Sequence, residues 1–148
     1  MGCLNLTSIT LGNGVITIGA GAFAGCTSLT DVTIPNRVVS IGGGAFINCT
    51  NLTSVIIGNS VTYIGDRAFD NCAKLTSVTI GSSVTYIGAR AFANCNELIS
   101  VTFEGTTTGN RFSPDVQFPG NLLAVYLAAG GGSGIYTRQN KAQVWWKQ

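Results

Sequence analysis

The chain repeats itself every 23 residues, and that repeat limits what it can fold into more than any other feature. Leu6, Leu29, Leu52, Leu75 and Leu98 stand 23 apart, and so do Cys3, Cys26, Cys49, Cys72 and Cys95. The stretch VTYIGARAFANC, ending at Cys95, is preceded at that interval by VTYIGDRAFDNC, VVSIGGGAFINC and VITIGAGAFAGC. A period between about 20 and 50 residues marks a solenoid, because one such unit cannot bury its own apolar face and must stack on its neighbours. Aligned, the unit reads Leu-x-x-Val-x-Ile (Leu75, Val78, Ile80), then Val-x-x-Ile-Gly (Val84, Ile87, Gly88), then Ala-Phe-x-x-Cys (Ala91, Phe92, Cys95).

The front segment alternates, with Val78 and Ile80 on one side and Ser77 and Thr79 on the other, which predicts a half-buried strand. The segment VTYI is β-branched and predicts a second short strand. Gly88 is read as the place where the chain turns, and Ala91, Phe92 and Cys95 fall at helical spacing. One unit is therefore strand, turn, short strand and helical turn. Copies stacked about 4.8 Å apart give parallel sheets over ladders of Leu, Val, Ile and Phe.

This unit resembles the 23-residue leucine-rich repeat of the Treponema pallidum type, found in BspA-like bacterial surface proteins. The resemblance covers four full units from Leu6 to Glu97, with the end of one before and the front strand of another after. It implies a leucine-rich-repeat solenoid wound as a right-handed superhelix. It also implies a cell-surface or secreted bacterial protein similar to adhesins, with host or bacterial surface and matrix proteins as partners.

The expected organisation is a solenoid over residues 1–105 and a capping segment over residues 106–148. The solenoid has a partial unit at 1–5, units starting at 6, 29, 52 and 75, and a last strand at 98–103. In the capping segment the period stops and Phe112, Phe118, Leu122, Leu123, Tyr126, Tyr136, Trp145 and Trp146 supply bulk to close an open end. Asn121 to Ala129 is predicted helical, and Ile135 to Arg138 and Gln143 to Lys147 are predicted strands. The segment FPGNLLAVYLAAGGGSGIYTR is similar to the tails of treponemal family members. At the other end Gly2 to Asn5 reads as the close of a missing unit, so the chain reads as a fragment of a longer array whose open N-terminal edge can pair end to end.

Chemistry is sparse. Charged residues make up 9% of the chain, the net charge is +2 and there is no histidine, so no field for nucleic acid is expected. No apolar run reaches the length of a membrane helix, and membrane insertion by this segment is not expected. The carboxylates Asp31, Asp66, Asp70, Glu97, Glu104 and Asp115 form no clustered pair, which argues against an enzyme. The five cysteines are odd in number and lack close spacing, so a reduced, buried ladder is expected, and neither a metal nor another cofactor. Gly130 to Gly134 reads as a flexible turn.

Recognition is left to the surface. On the front strands Thr33, Ser54, Ile56, Ser77 and Thr79 form a hydroxyl-rich outward stripe broken by one apolar residue. On the second strand Tyr63 and Tyr86 replace Thr17 and Ser40, and farther on Arg67 and Arg90 replace Gly21 and Gly44. Five front strands offer on the order of 250 Å², against about 800 Å² per partner in a standard interface. The expected function is a non-enzymatic binding or display module for protein interaction or adhesion. The alternatives are a receptor for a small apolar or glycan ligand in a pocket near the cap, and a passive spacer.

Overall fold

The computed structural model describes residues 2–105, 112–113, 118–120, 122–139 and 144–148, without the side chains of residues 123, 127 and 128. Segment 106–111 at the expected solenoid–cap boundary, Asp115, Asn121 and Gln143 lie outside the described residues, as does the Leu123 side chain. The chain forms a solenoid of two parallel sheets. The front sheet carries β2 (Asp31–Ile34), β4 (Ser54–Ile57), β6 (Ser77–Ile80) and β8 (Ser100–Phe103). The second sheet carries the two-residue strands β1 (Thr17–Ile18), β3 (Ser40–Ile41), β5 (Tyr63–Ile64) and β7 (Tyr86–Ile87). Register is set by the repeat: Val32 pairs with Val55, Val55 with Val78, and Val78 with Val101.

Between the sheets lies one apolar core. The Leu, Val, Ile, Ala, Phe and Cys columns of the second to fourth units are buried almost completely. Phe23, Phe46, Phe69 and Phe92 stack with ring centroids 5.2 Å apart, and Phe118 continues the ladder at 4.9 Å from Phe92. Three of the four buried thiols donate to a phenylalanine carbonyl of an earlier rung: Cys49 to Phe23 at 3.2 Å, Cys72 to Phe46 at 3.3 Å and Cys95 to Phe69 at 3.3 Å. All five cysteines are free; Cys3 is exposed, which departs from the expectation of a wholly buried ladder.

The reason for the repeated glycine also differs from the expected one. Gly42, Gly65 and Gly88 do not sit in the left-handed region; a Cβ there would lie 2.5 Å from the backbone nitrogen of Ala20, Gly43 or Asp66 in the preceding rung. The column is glycine because neighbouring rungs touch there. The left-handed positions come two and six residues later. Gly21, Gly44, Arg67 and Arg90 occupy one such column, with φ of 64, 58, 55 and 57°, and Gly25, Asn48, Asn71 and Asn94 the other. The predicted helical turn is realised as consecutive i to i+3 turns, such as Ala22 N to Gly19 O, Ala24 N to Gly21 O and Cys26 N to Phe23 O. Alternate amides point instead at the next rung, as Gly21 N does to Gly43 O and Phe23 N to Ala45 O. This column of turns is thus bonded along the stack as the sheets are.

The first unit is incomplete as a rung. The segment 6–11 forms no strand, although a front strand is predicted there, and Leu6, Ile9, Leu11, Val15 and Phe23 are only partly buried against the core. At the other end the helix α1 (Leu122–Ala128) is followed by β9 (Gly134–Thr137), which adds antiparallel to β8, and β10 (Trp146–Lys147), which adds antiparallel to β9. Phe112 makes a parallel bridge to Ile87, and Ser113 N donates to Ile87 O at 2.9 Å, extending the second sheet. Arg138 is buried; its Nε donates to Leu98 O, its Nη2 to Asn96 O at 2.8 Å, and its backbone N to Ile99 O at 3.0 Å. One residue thus takes over bonding that the amides of a following rung would otherwise supply.

Candidate binding surfaces

Outward positions on the front sheet fall into two rows because strand side chains alternate. Thr33, Ile56, Thr79 and Thr102 lie side by side across β2, β4, β6 and β8, and Ile135 of β9 prolongs that row. Asp31, Ser54, Ser77 and Ser100 form the second row, which Thr137 and then Trp146 prolong. The face is therefore six strands wide, about 24 Å across its five gaps. It is neutral apart from Asp31 at one edge. Its exposed apolar groups are Ile56 at 49%, Ile135 at 46% and Trp146 at 45%.

Ile135 and Trp146 escaped the sequence reading as face residues, although the alternation in Gly-Ile-Tyr-Thr contains the signal. Tyr136 is fully buried, so Ile135 and Thr137 must point outward. What the sequence does not show is that this strand joins β8 antiparallel and so shares its face.

Of the cap aromatics that a ligand pocket near the cap would draw on, three are core and Trp146 is exposed. Tyr126, Tyr136 and Trp145 are buried. The hydroxyl of Tyr126 donates to Gly131 O at 2.7 Å, that of Tyr136 to Gly132 O at 3.1 Å, and Trp145 Nε1 to Pro119 O at 2.7 Å. Burial pushes the Tyr136 phenol above its usual range. The two tyrosines pin the glycine turn, which also closes α1 with Gly130 at φ 74° and Gly131 N donating to Tyr126 O. That turn is fastened, where a flexible one is expected from its composition.

Tyr63 and Tyr86 lie next to each other on the second sheet, stacked at 5.2 Å with an interplanar angle of 6°. Arg67 and Arg90 stand in the left-handed turn column beyond them, apart from the front rows. Arg90 Nε lies 3.8 Å from Asp70 Oδ2, while Asp70 Oδ1 accepts from Asn94 Nδ2 at 2.8 Å. Arg67 and Asp66 are exposed, and Asp66 Oδ1 accepts from Ala89 N at 2.8 Å. A non-glycine residue in the left-handed region costs about 1 kcal/mol or more, and arginine has no local hydrogen bond to offset it as asparagine does.

No group of three metal-ligating side chains occurs among the described residues, and no described helix is long and apolar enough to cross a membrane. The profile of the family described as "BspA type Leucine rich repeat region" matches residues 1–112 in six copies. Among solved structures, a leucine-rich repeat protein from Bacteroides capillosus is 36% identical, over 68% of this chain and 74% of that one, with a TM-score of 0.56. The T. pallidum leucine-rich repeat protein is 29% identical, over 60% of this chain and 53% of that one, with a TM-score of 0.50. A leucine-rich repeat protein from Bacteroides ovatus is 30% identical, over 67% of this chain and 31% of that one, with a TM-score of 0.50. The chain thus spans about half of the second protein and less than a third of the last. No curated protein matches it.

Proposed function

We propose, because this chain belongs to the BspA-type leucine-rich repeat family, that it is a non-enzymatic protein-binding module of a bacterial surface or secreted protein. The matching family is a repeat scaffold and no catalytic family is indicated. The observation that carries the reading is the six-stranded front face with its neutral hydroxyl rows and the exposed apolar groups Ile56, Ile135 and Trp146. A face nearly free of charge does not steer a partner electrostatically, so affinity comes from shape, hydrogen bonds and those apolar anchors.

Six strands exposing about 13 Å of length each give roughly 300 Å² of flat footprint, well short of the 800 Å² a standard partner covers. Weak, multivalent attachment is the behaviour this size supports, and adhesion by many copies or a longer array is the setting that suits it. The spacer and cap-pocket readings gain no comparable observation, since Tyr126, Tyr136 and Trp145 are packed inside and Trp146 lies on the front face.

The test is binding of the labelled chain to immobilised extracellular-matrix and bacterial envelope proteins, compared with Ile56→Lys/Ile135→Lys. Both substitutions lie on the solvent side of their strands. Binding that falls at least tenfold while the melting temperature holds supports the reading. Unchanged binding by the variant sinks it.

A further inference from the structure

The second sheet carries a step that the repeat consensus does not require. Its outward row runs Thr17, Ser40, Tyr63, Tyr86 by register. The Ser40 hydroxyl donates to Thr17 Oγ1 at 3.2 Å, forming a low floor of two hydroxyls. Beside it stands the Tyr63 ring. One face of that ring is covered by Tyr86 at 5.2 Å; the other turns toward the shorter Ser40, and Tyr63 remains 43% exposed. The same boundary between rungs is a step at two further columns. Ala20 and Gly43 give way to Asp66, and Gly21 and Gly44 give way to Arg67. Three substitutions that raise the surface therefore coincide on one rung.

Tyr63 and Arg67 contribute groups with capacity to spare: Arg67 is exposed and forms no ion pair among the described residues, whereas Asp66 Oδ1 turns to the following rung and accepts from Ala89 N. Arg67 is moreover held at φ 55°, in a column where the first two rungs use glycine. Strain kept at an exposed position without a structural return points to a use for the side chain.

We propose that this ledge binds a hexopyranose unit of a glycan. A flat aromatic face receives the C–H face of a sugar ring, and the exposed guanidinium of Arg67, four residues along the same rung, is a donor for sugar hydroxyls. The floor hydroxyls of Ser40 and Thr17 add a second polar edge. The ledge is independent of the front face, and the two proposals fail separately.

The experiment is an NMR titration of the full chain with cellohexaose, chitohexaose and mannohexaose, repeated on Tyr63→Ser and Arg67→Gly. These variants install the residues that the second rung already carries at Ser40 and Gly44, so both keep the fold. At least one hexasaccharide is expected to shift the Tyr63 ring resonances with a Kd of roughly 0.1 to 1 mM. Tyr63→Ser then weakens binding at least tenfold and Arg67→Gly several-fold, while Ile56→Lys/Ile135→Lys binds as the wild type does. The proposal is overturned if none of the three sugars moves Tyr63, if Tyr63→Ser binds equally well, or if the front-face variant is the one that loses binding.

Discussion

Arg67 and Arg90 hold left-handed backbone at positions where Gly21 and Gly44 do the same. Replacing Arg67 by glycine relieves that strain at the cost of a freer unfolded chain, so Arg67→Gly is expected to raise stability by up to about 1 kcal/mol, whereas Arg67→Ala keeps the strain and gains nothing. Thermal melting of the two variants checks this. The arginine column was visible in the sequence as a place where copies disagree; its backbone strain was not, because nothing in the consensus separates a turn glycine from a contact glycine. Gly88 shows the same limit. Its column was legible, but its cause is the backbone of the rung before it, which periodicity cannot reveal. For the cysteines, labelling of the native chain is expected to reach Cys3 alone, with the other four reacting after denaturation; native labelling of any of those four contradicts the ladder. Their pH dependence follows in sign. An unperturbed thiol titrates near 9.0, and burial pushes Cys49 to about 11 and Cys95 to about 12, with Cys72 also well above its usual value. Between those values the unfolded chain gives up protons that the folded chain keeps. Stability is therefore intact below pH 9 and falls as the pH rises toward 11 to 12, by about 1.4 kcal/mol per pH unit for each fully buried thiol. Denaturant melts at rising pH test this, and the triple variant Cys49→Ala/Cys72→Ala/Cys95→Ala is expected to flatten the alkaline fall.

Among the elements, the middle rungs were legible because each column repeats, so Val55, Val78 and Val101 fix strand and register together. The ends were legible only in outline, since an end is where the repeat stops informing. The first front segment was predicted as a strand and forms none, while β9 and β10 were predicted as strands without the knowledge that they extend the front face. The unequal burial of the rungs has a kinetic consequence. Amides of residues 7–11 are expected to exchange with solvent hydrogen far sooner than those of β4 and β6, which open only on global unfolding. Equal protection across the rungs contradicts the picture. At the other end Arg138 closes the stack by donating to Asn96 O and Leu98 O. Burial lowers its guanidinium pKa, and Glu97 works against that shift. Arg138→Met leaves the carbonyls without those donors and is expected to destabilise the chain by roughly 2–4 kcal/mol in denaturant unfolding.

At the scale of the whole molecule, stacking separates what holds the fold from what can recognise a partner. The consensus columns are consumed by the core, by rung-to-rung contacts and by turns, so the proposed recognition rests on outward positions that differ between copies and on the cap strands that prolong the front face. The two proposed surfaces are the front face with Ile56, Ile135 and Trp146 and the ledge at Tyr63 and Arg67. The most direct test of this division is the binding of Ile56→Lys/Ile135→Lys to the matrix and envelope proteins that retain the wild-type chain, read together with its melting temperature. The account predicts binding reduced at least tenfold at an unchanged melting temperature; full binding by the variant, or a loss that only follows unfolding, contradicts it.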